Sequence, residues 1–252
     1  MFIESDGIRL NAHLELPSDK QERCPLCIII HGFTGNCEEP HLIAVGKTLR
    51  ANGIATLRVD MYGHGLSGGT FEKHTLYKWL TNAMDVIDYA ESLDFVTELY
   101  LCGHSQGGLL AMLLAGMEKQ RIKLLMPLSP AVIIPSGARE GNLLGMLYDP
   151  DDLPPYLTVG DGRRLDINYV RVAQTLDLDK AIAAYRGRVF VAIGSKDATI
   201  PPARVKEAAS KYESCTYVEI PGDTHCFDNN LTCLTEELDR FIKSSGLGSE
   251  IT

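Results

Sequence analysis

Short, nearly unbroken apolar runs alternate along this chain with longer stretches in which apolar residues recur at helical spacing. The runs are 25–30, 54–59, 97–102, 122–128, 188–193 and 215–220. A continuous apolar run bounded by turn residues is what a strand shows when both its faces are covered, as in a parallel sheet. Between these runs the spacing predicts helices over 42–52, 74–93, 109–115, 178–185 and 201–212, and an amphipathic helix over 234–244 closes the chain. The helix over 74–93 is the clearest, with Leu76, Leu80, Ala83, Met84, Ile87 and Ala90 on one face. Residues 1–17 differ. Their alternation is broken, as in an opening hairpin, and it stops at Pro17-Ser18-Asp19. Strand and helix in regular succession predict an α/β fold with a mainly parallel central sheet flanked by crossover helices.

The succession breaks once. From Pro130 to about Val172 the chain is rich in proline and glycine, with Tyr148, Tyr156 and Tyr169 interleaved and no clear period. A stretch this long inside a compact domain is usually functional. We therefore expect a core formed by residues 1–129 and 173–252, and an inserted cap or lid over 130–172.

Composition narrows the class. With 252 residues, 45% hydrophobic and 23% charged, the chain can bury a large core without disulfide staples. A formal net charge of -9 argues against a nucleic-acid partner. The seven cysteines are odd in number and irregularly spaced, which suits buried thiols in a reducing compartment. Cys24-Pro25-Leu26-Cys27 lies inside an apolar strand and has no second pair, so no metal site is assigned to it. The N-terminus carries no basic segment followed by an apolar one, and the longest apolar run, Leu109–Met117, is too short to span a bilayer. The expectation is a cytoplasmic protein without a membrane partner; a homodimer is left open.

The chemistry centres on Gly103-His104-Ser105-Gln106-Gly107, placed between a strand and an apolar helix. A serine on such a turn is held in a strained backbone conformation with its hydroxyl outward, and the following helix aims free N–H groups at the same point. Serine needs a base, and the base needs an orienting carboxylate. Asp197 follows the strand over 188–193 and His225 follows the strand over 215–220, so all three face one rim of the sheet. Asp223 is a rival carboxylate whose closeness to His225 suits it better to shaping the loop, and Asp197 taken alone also reads as a helix cap. His31-Gly32-Phe33-Thr34-Gly35 puts exposed backbone N–H groups at the carboxyl end of a buried strand. The glycine-rich Asp60–Gly69 lacks the Lys-Ser/Thr of a phosphate loop and reads as structural, with Asp60 and His64 bonded to backbone. His13, His41 and His74 lie on polar segments and are expected to be solvated. His31, His64 and His104 are expected to be structural.

On these elements the chain resembles the α/β-hydrolase superfamily over nearly its whole length. Within it the chain is similar to the feruloyl (cinnamoyl) esterases with a small inserted cap. The resemblance rests on His31–Gly35, Asp60–Gly69, Gly103–Gly108, Gly194-Ser195-Lys196-Asp197 and Gly222-Asp223-Thr224-His225. It implies Ser105 as nucleophile, His225 as general base and Asp197 as its orienting acid. It implies the backbone N–H groups of Phe33 and Gln106 as an oxyanion hole, and neither a metal nor an organic cofactor. The substrate implied is a small ester with an aromatic acyl group, held by the cap through Tyr169 or the acidic Asp149, Asp151 and Asp161. Monoacylglycerol lipases and peptidases share the layout. An acyltransferase and a non-catalytic binding module are further alternatives on this scaffold.

Overall fold

The structure, a computed structural model, describes residues 1–17 and 22–246; the turn expected at Pro17-Ser18-Asp19 runs outside them. Its main sheet has eight strands. Two form the opening hairpin, β1 (Phe2–Ser5) and β2 (Ile8–Glu15), joined at Asp6-Gly7, both with positive φ. That Asp-Gly pair is the two-residue turn that matches the twist of paired strands. The chain continues through β3 (Cys24–Ile30), α1 (Pro40–Ala51), β4 (Ala55–Val59), α2 (Leu76–Glu91), β5 (Val96–His104), α3 (Gln106–Met117) and β6 (Ile122–Leu128).

The stretch expected to be an insertion follows. It holds α4 (Ile134–Glu140), the hairpin β7 (Asn142–Leu143) and β8 (Met146–Leu147), the hairpin β9 (Tyr156–Thr158) and β10 (Arg164–Asp166), and α5 (Asn168–Thr175). Regular succession resumes with α6 (Leu178–Ala184), β11 (Arg188–Gly194), α7 (Pro202–Ala209), β12 (Cys215–Ile220) and α8 (Leu231–Ser244). The strand order is β1-β2-β4-β3-β5-β6-β11-β12, antiparallel at β1, β2 and β4 and parallel from β4 to β12. This is the expected α/β sheet. After β3 the chain goes to β4 on one side and then to β5 on the other, so the strand order reverses between β3 and β5. Ligands of open α/β sheets bind at the carboxyl ends of strands at such a reversal.

The unbroken apolar runs have a direct cause. Leu26, Ile28 and Ile30 of β3 enter one core cluster, with α2 and α3, while Cys27 and Ile29 enter the other, with α1 and α8. A strand covered on both faces has no solvent side for polar residues to alternate onto. The same geometry puts Cys24 and Cys27 in opposite clusters, and burial raises both thiols above their ordinary range. α3 lies between the sheet and other helices, and every residue from Gln106 to Ala115 is buried. α2 begins at Leu76 rather than 74 because the Thr75 hydroxyl caps it, accepting from the Lys78 N–H.

The insertion contains more regular structure than its composition predicts. Its elements are too short to show a period, and two are hairpins of two or three residues a strand. α5 passes through residue 172, where the sequence pattern suggested the boundary. Lys73–Asp166 at 2.6 Å and Arg163 over the Phe71 ring at 3.9 Å tie the second hairpin to the core. Among the described residues no helix is long and apolar enough to cross a membrane.

Candidate active site

The turn from β5 to α3 is held in the conformation its sequence implies. Ser105 has φ 54° and ψ −117°, a region that side chains other than glycine rarely occupy. Three backbone bonds hold it there: Ser105 N–H donates to Leu128 O at 2.9 Å, and Ser105 O accepts from Leu109 N–H at 3.0 Å and Ala131 N–H at 2.9 Å. The two glycines of the motif are steric necessities. A Cβ on Gly103 would lie 2.2 Å from Gly107 O, and one on Gly107 would lie 2.4 Å from both Ile30 O and His31 O.

Ser105, His225 and Asp197 come together from three loops. Ser105 Oγ is 2.9 Å from His225 Nε2, and His225 Nδ1 is 2.7 Å from Asp197 Oδ2. Asp197 is buried, and its other oxygen accepts the N–H groups of Thr199 and Ile200, each at 2.8 Å. With both oxygens engaged the carboxylate cannot rotate away from the imidazole. The His225 backbone is held too: His104 Nε2–H donates to His225 O at 2.9 Å. The rival Asp223 is fully buried and accepts the N–H groups of Thr224, Asn229 and Asn230, so it shapes the loop that carries His225.

The loop after β3 packs against the serine. A Cβ on Gly32 would stand 3.2 Å from the Ser105 Cβ. The loop is anchored through its carbonyls: His31 Nδ1–H donates to Gly32 O at 2.7 Å and His64 Nε2 faces Phe33 O at 2.5 Å. Met61 N–H donates to His31 Nε2 at 3.0 Å, which fixes that ring's tautomer. The Phe33 N–H has no acceptor among the described residues. Gln106 opens α3, so its N–H lacks an intrahelical partner. Neither N–H is engaged with a backbone acceptor among the described residues, and both belong to elements that adjoin Ser105.

Above them is a cleft of about 280 Å³. Its floor includes Ser105, His225, Glu39 and the 32–35 loop, and its apolar wall is Leu144, Met146 and Val159 from the two hairpins of the insertion. Leu144 sits at the tip of the first hairpin with φ 51°, followed by Gly145 at φ 89°. Sequence reasoning missed these wall residues and Glu39. The signal for Leu144 was the apolar 143–147 run, which stands out within a glycine- and proline-rich stretch.

Several expectations are corrected. Tyr169 is fully buried, and its hydroxyl donates to Gln106 Oε1 at 2.6 Å. Its ring stands edge-on to Phe33, 5.6 Å between centroids. It therefore joins the insertion to the core and is not among the cleft residues. Asp149 accepts the N–H of Asp151, and Asp161 pairs with Arg163 at 2.5 Å; none of the three acids is among the cleft residues, although Asp161 follows Val159 and Gly160, which are. His41 and His74 are buried, not solvated. α1 starts at Pro40, which turns His41 inward with Val45 and Leu49, and His74 is enclosed by Phe33, Phe71, Trp79 and Tyr169. Burial holds the His31 and His74 imidazoles down to about 3, with the neighbouring His64 adding to it, and the His41 imidazole down to about 4.

Comparison with known proteins gives the family. Residues 21–149 match the family described as serine aminopeptidase, S33. The structure of Est1E from Butyrivibrio proteoclasticus with ferulic acid bound is 52% identical, covers 97% of this chain and 98% of that one, and superposes with a TM-score of 0.95. A second structure of Est1E from the same organism is 50% identical over 97% of each chain, with a TM-score of 0.91. Alpha/beta hydrolase domain-containing protein 10 from mouse shares the fold at 18% identity, with a TM-score of 0.75 over 97% of this chain and 98% of that one. The chain therefore belongs to the α/β-hydrolase family of serine hydrolases and is similar to Est1E over nearly its whole length.

Proposed function

We propose that the protein is a serine carboxylic-ester hydrolase that releases ferulic and related hydroxycinnamic acids from their esters. The observation that carries the reaction type is the Ser105–His225–Asp197 hydrogen-bonded chain at the floor of the cleft. The acyl group is taken from the likeness to Est1E, whose structure holds ferulic acid.

In this reading Ser105 Oγ attacks the ester carbonyl carbon while its proton passes to His225 Nε2. The carbonyl oxygen becomes an anion and accepts the N–H groups of Phe33 and Gln106. Each such donor is worth about 2.7–4 kcal/mol of barrier. Asp197 keeps the His225 Nδ1 proton in place and stabilises the imidazolium. The tetrahedral carbon then expels the alcohol, which takes the proton from His225. Water attacks the acyl-enzyme by the same route, its proton going to His225 and then to Ser105, and the acid leaves. Residues 130–172 act as the cap, with Leu144, Met146 and Val159 against the acyl group. The unpaired cysteines support a reducing, cytoplasmic setting.

The apolar wall also favours a second reading, a lipase acting on medium-chain monoacylglycerol. Hydrolysis of methyl ferulate beside a medium-chain monoacylglycerol tests both, for wild type, Ser105→Ala and Asp197→Asn. We expect ferulate turnover, abolished in Ser105→Ala and reduced about 10⁴-fold in Asp197→Asn, where the amide favours the wrong imidazole tautomer. Turnover of the glycerol ester alone would overturn the aromatic substrate. Full turnover in Ser105→Ala would overturn the mechanism.

A further inference from the structure

Three buried polar atoms converge behind the cleft without a hydrogen-bond partner among the described residues: Glu39 Oε2, His41 Nε2 and His104 Nδ1. The two imidazoles are almost wholly buried, with 3% and 2% of their residues' surface exposed. One ligand atom from each of the three residues lies within 4.8 Å of the others. Buried polar atoms are nearly always partnered, so three left open within reach of one another call for a shared partner.

The chemistry of the three atoms specifies that partner. His104 Nε2 donates to a carbonyl, which can only accept, so its proton is on Nε2 and Nδ1 presents a lone pair. Glu39 stands at the N-cap of α1, yet its side chain makes no capping bond there; the backbone N–H groups of Gly32 and Asn36 favour its carboxylate instead, and Oε2 is left open. Two acceptors, one of them anionic, facing a third ring nitrogen describe a cation site. Two imidazole nitrogens and a carboxylate are a ligand set for Zn²⁺ and similar divalent transition metals, not for Ca²⁺ or Mg²⁺, which take oxygen. The His104 bond to His225 O is also the outer bond that metal-ligating histidines characteristically make through their other nitrogen.

We propose that Glu39, His41 and His104 form a binding site for a divalent transition metal ion. Tetrahedral ligands at about 2.0–2.2 Å from zinc stand roughly 3.4 Å apart. Ligand atoms that stand up to 4.8 Å apart must therefore draw together by as much as about 1.4 Å on binding, and Glu39 is the partly exposed member of the three. Glu39 and His104 also line the cleft, which provides the entry path and water for a fourth ligand position. The site ties the start of α1 to the residue before Ser105. A bound cation would lie beyond the His104 ring, whose centroid is 4.8 Å from that of His225. The site stands whether or not the esterase reading does.

Equilibrium dialysis of the whole protein against Zn²⁺ tests it, with wild type, His41→Phe and Glu39→Gln in parallel. Phenylalanine keeps the ring volume at 41, and glutamine keeps the shape at 39. Uptake of one equivalent is expected in wild type, weakened at least about tenfold in each variant. Ring-proton NMR of the wild type is the second readout and needs no variant: His41 and His104 resonances should shift with the first equivalent, ahead of those of His13. The proposal is overturned by no uptake, by uptake undiminished in both variants, or by shifts confined to His13, which lies in a separate cluster with Cys37 and Glu38.

Discussion

Replacing Tyr169 by phenylalanine separates the position this structure gives the residue from the substrate-binding role its place in the insertion suggested. In the structure its hydroxyl donates to Gln106 Oε1 at 2.6 Å, and both residues are fully buried. Gln106 Nε2 already lacks a partner among the described residues, so that amide has no other bond to fall back on. Tyr169→Phe leaves the ring packing on Phe33 and His74 in place but strands the amide oxygen where water does not reach. That penalty is about 1–3 kcal/mol. For a chain this size it lowers Tm by roughly 5 °C. Gln106→Leu keeps the backbone N–H proposed for the oxyanion hole and removes the amide. In the double variant both polar groups are gone, so a double-mutant cycle should show favourable coupling of about 1–2 kcal/mol between the two side chains. The assay is urea unfolding of the four proteins, with KM measured for methyl ferulate and for methyl cinnamate, which lacks the ring hydroxyl and methoxy. Unchanged stability with KM rising for ferulate but not for cinnamate would refute the reasoning, because it would place the Tyr169 hydroxyl on the substrate.

Two further outcomes follow from the same geometry. Gly107→Ala should destabilise the protein by about 3 kcal/mol, since the new Cβ would stand 2.4 Å from two carbonyl oxygens of the β3 end; alanine's advantage in a helix, about 1 kcal/mol, is too small to offset it, and a urea midpoint at or above wild type would contradict the close approach. Acid should unfold the protein early: His31, His74 and His41 are neutral in the fold, with imidazoles held down to about 3, 3 and 4. The unfolded chain titrates near 6.5 and so binds more protons below that pH; stability is full above it and is lost as pH falls towards the folded values, by about 2 kcal/mol per histidine at pH 5. Urea midpoints at pH 7.5 and pH 5 check this, and equal values would mean that these rings are not held neutral.

Much of the fold could be read along the chain, because burial of both sheet faces writes itself as unbroken apolar runs. β3, β6 and β11 fall where those runs lie, and α2 falls where its apolar face recurs. The residues of the Ser105–His225–Asp197 chain were legible for a related reason. A serine in a turn that closes on backbone at both flanks needs glycine at 103 and 107, and strand ends deliver loop residues to one rim. Tertiary structure alone decided what depended on contacts between distant segments. Asp197 rather than Asp223 faces His225 because Asp223 is taken up by three backbone N–H groups of its own loop. Tyr169 serves packing because Gln106, 63 residues earlier, receives its hydroxyl. His41 and His74 are interior because a helix start and an aromatic cluster enclose them, although their neighbours in sequence are polar. The short hairpins that wall the cleft left no period to read. Glu39, His41 and His104 converge only through the packing of α1 against the end of β5. Local periodicity reports whether a residue faces the core; which distant residue it meets there is set by how the elements pack.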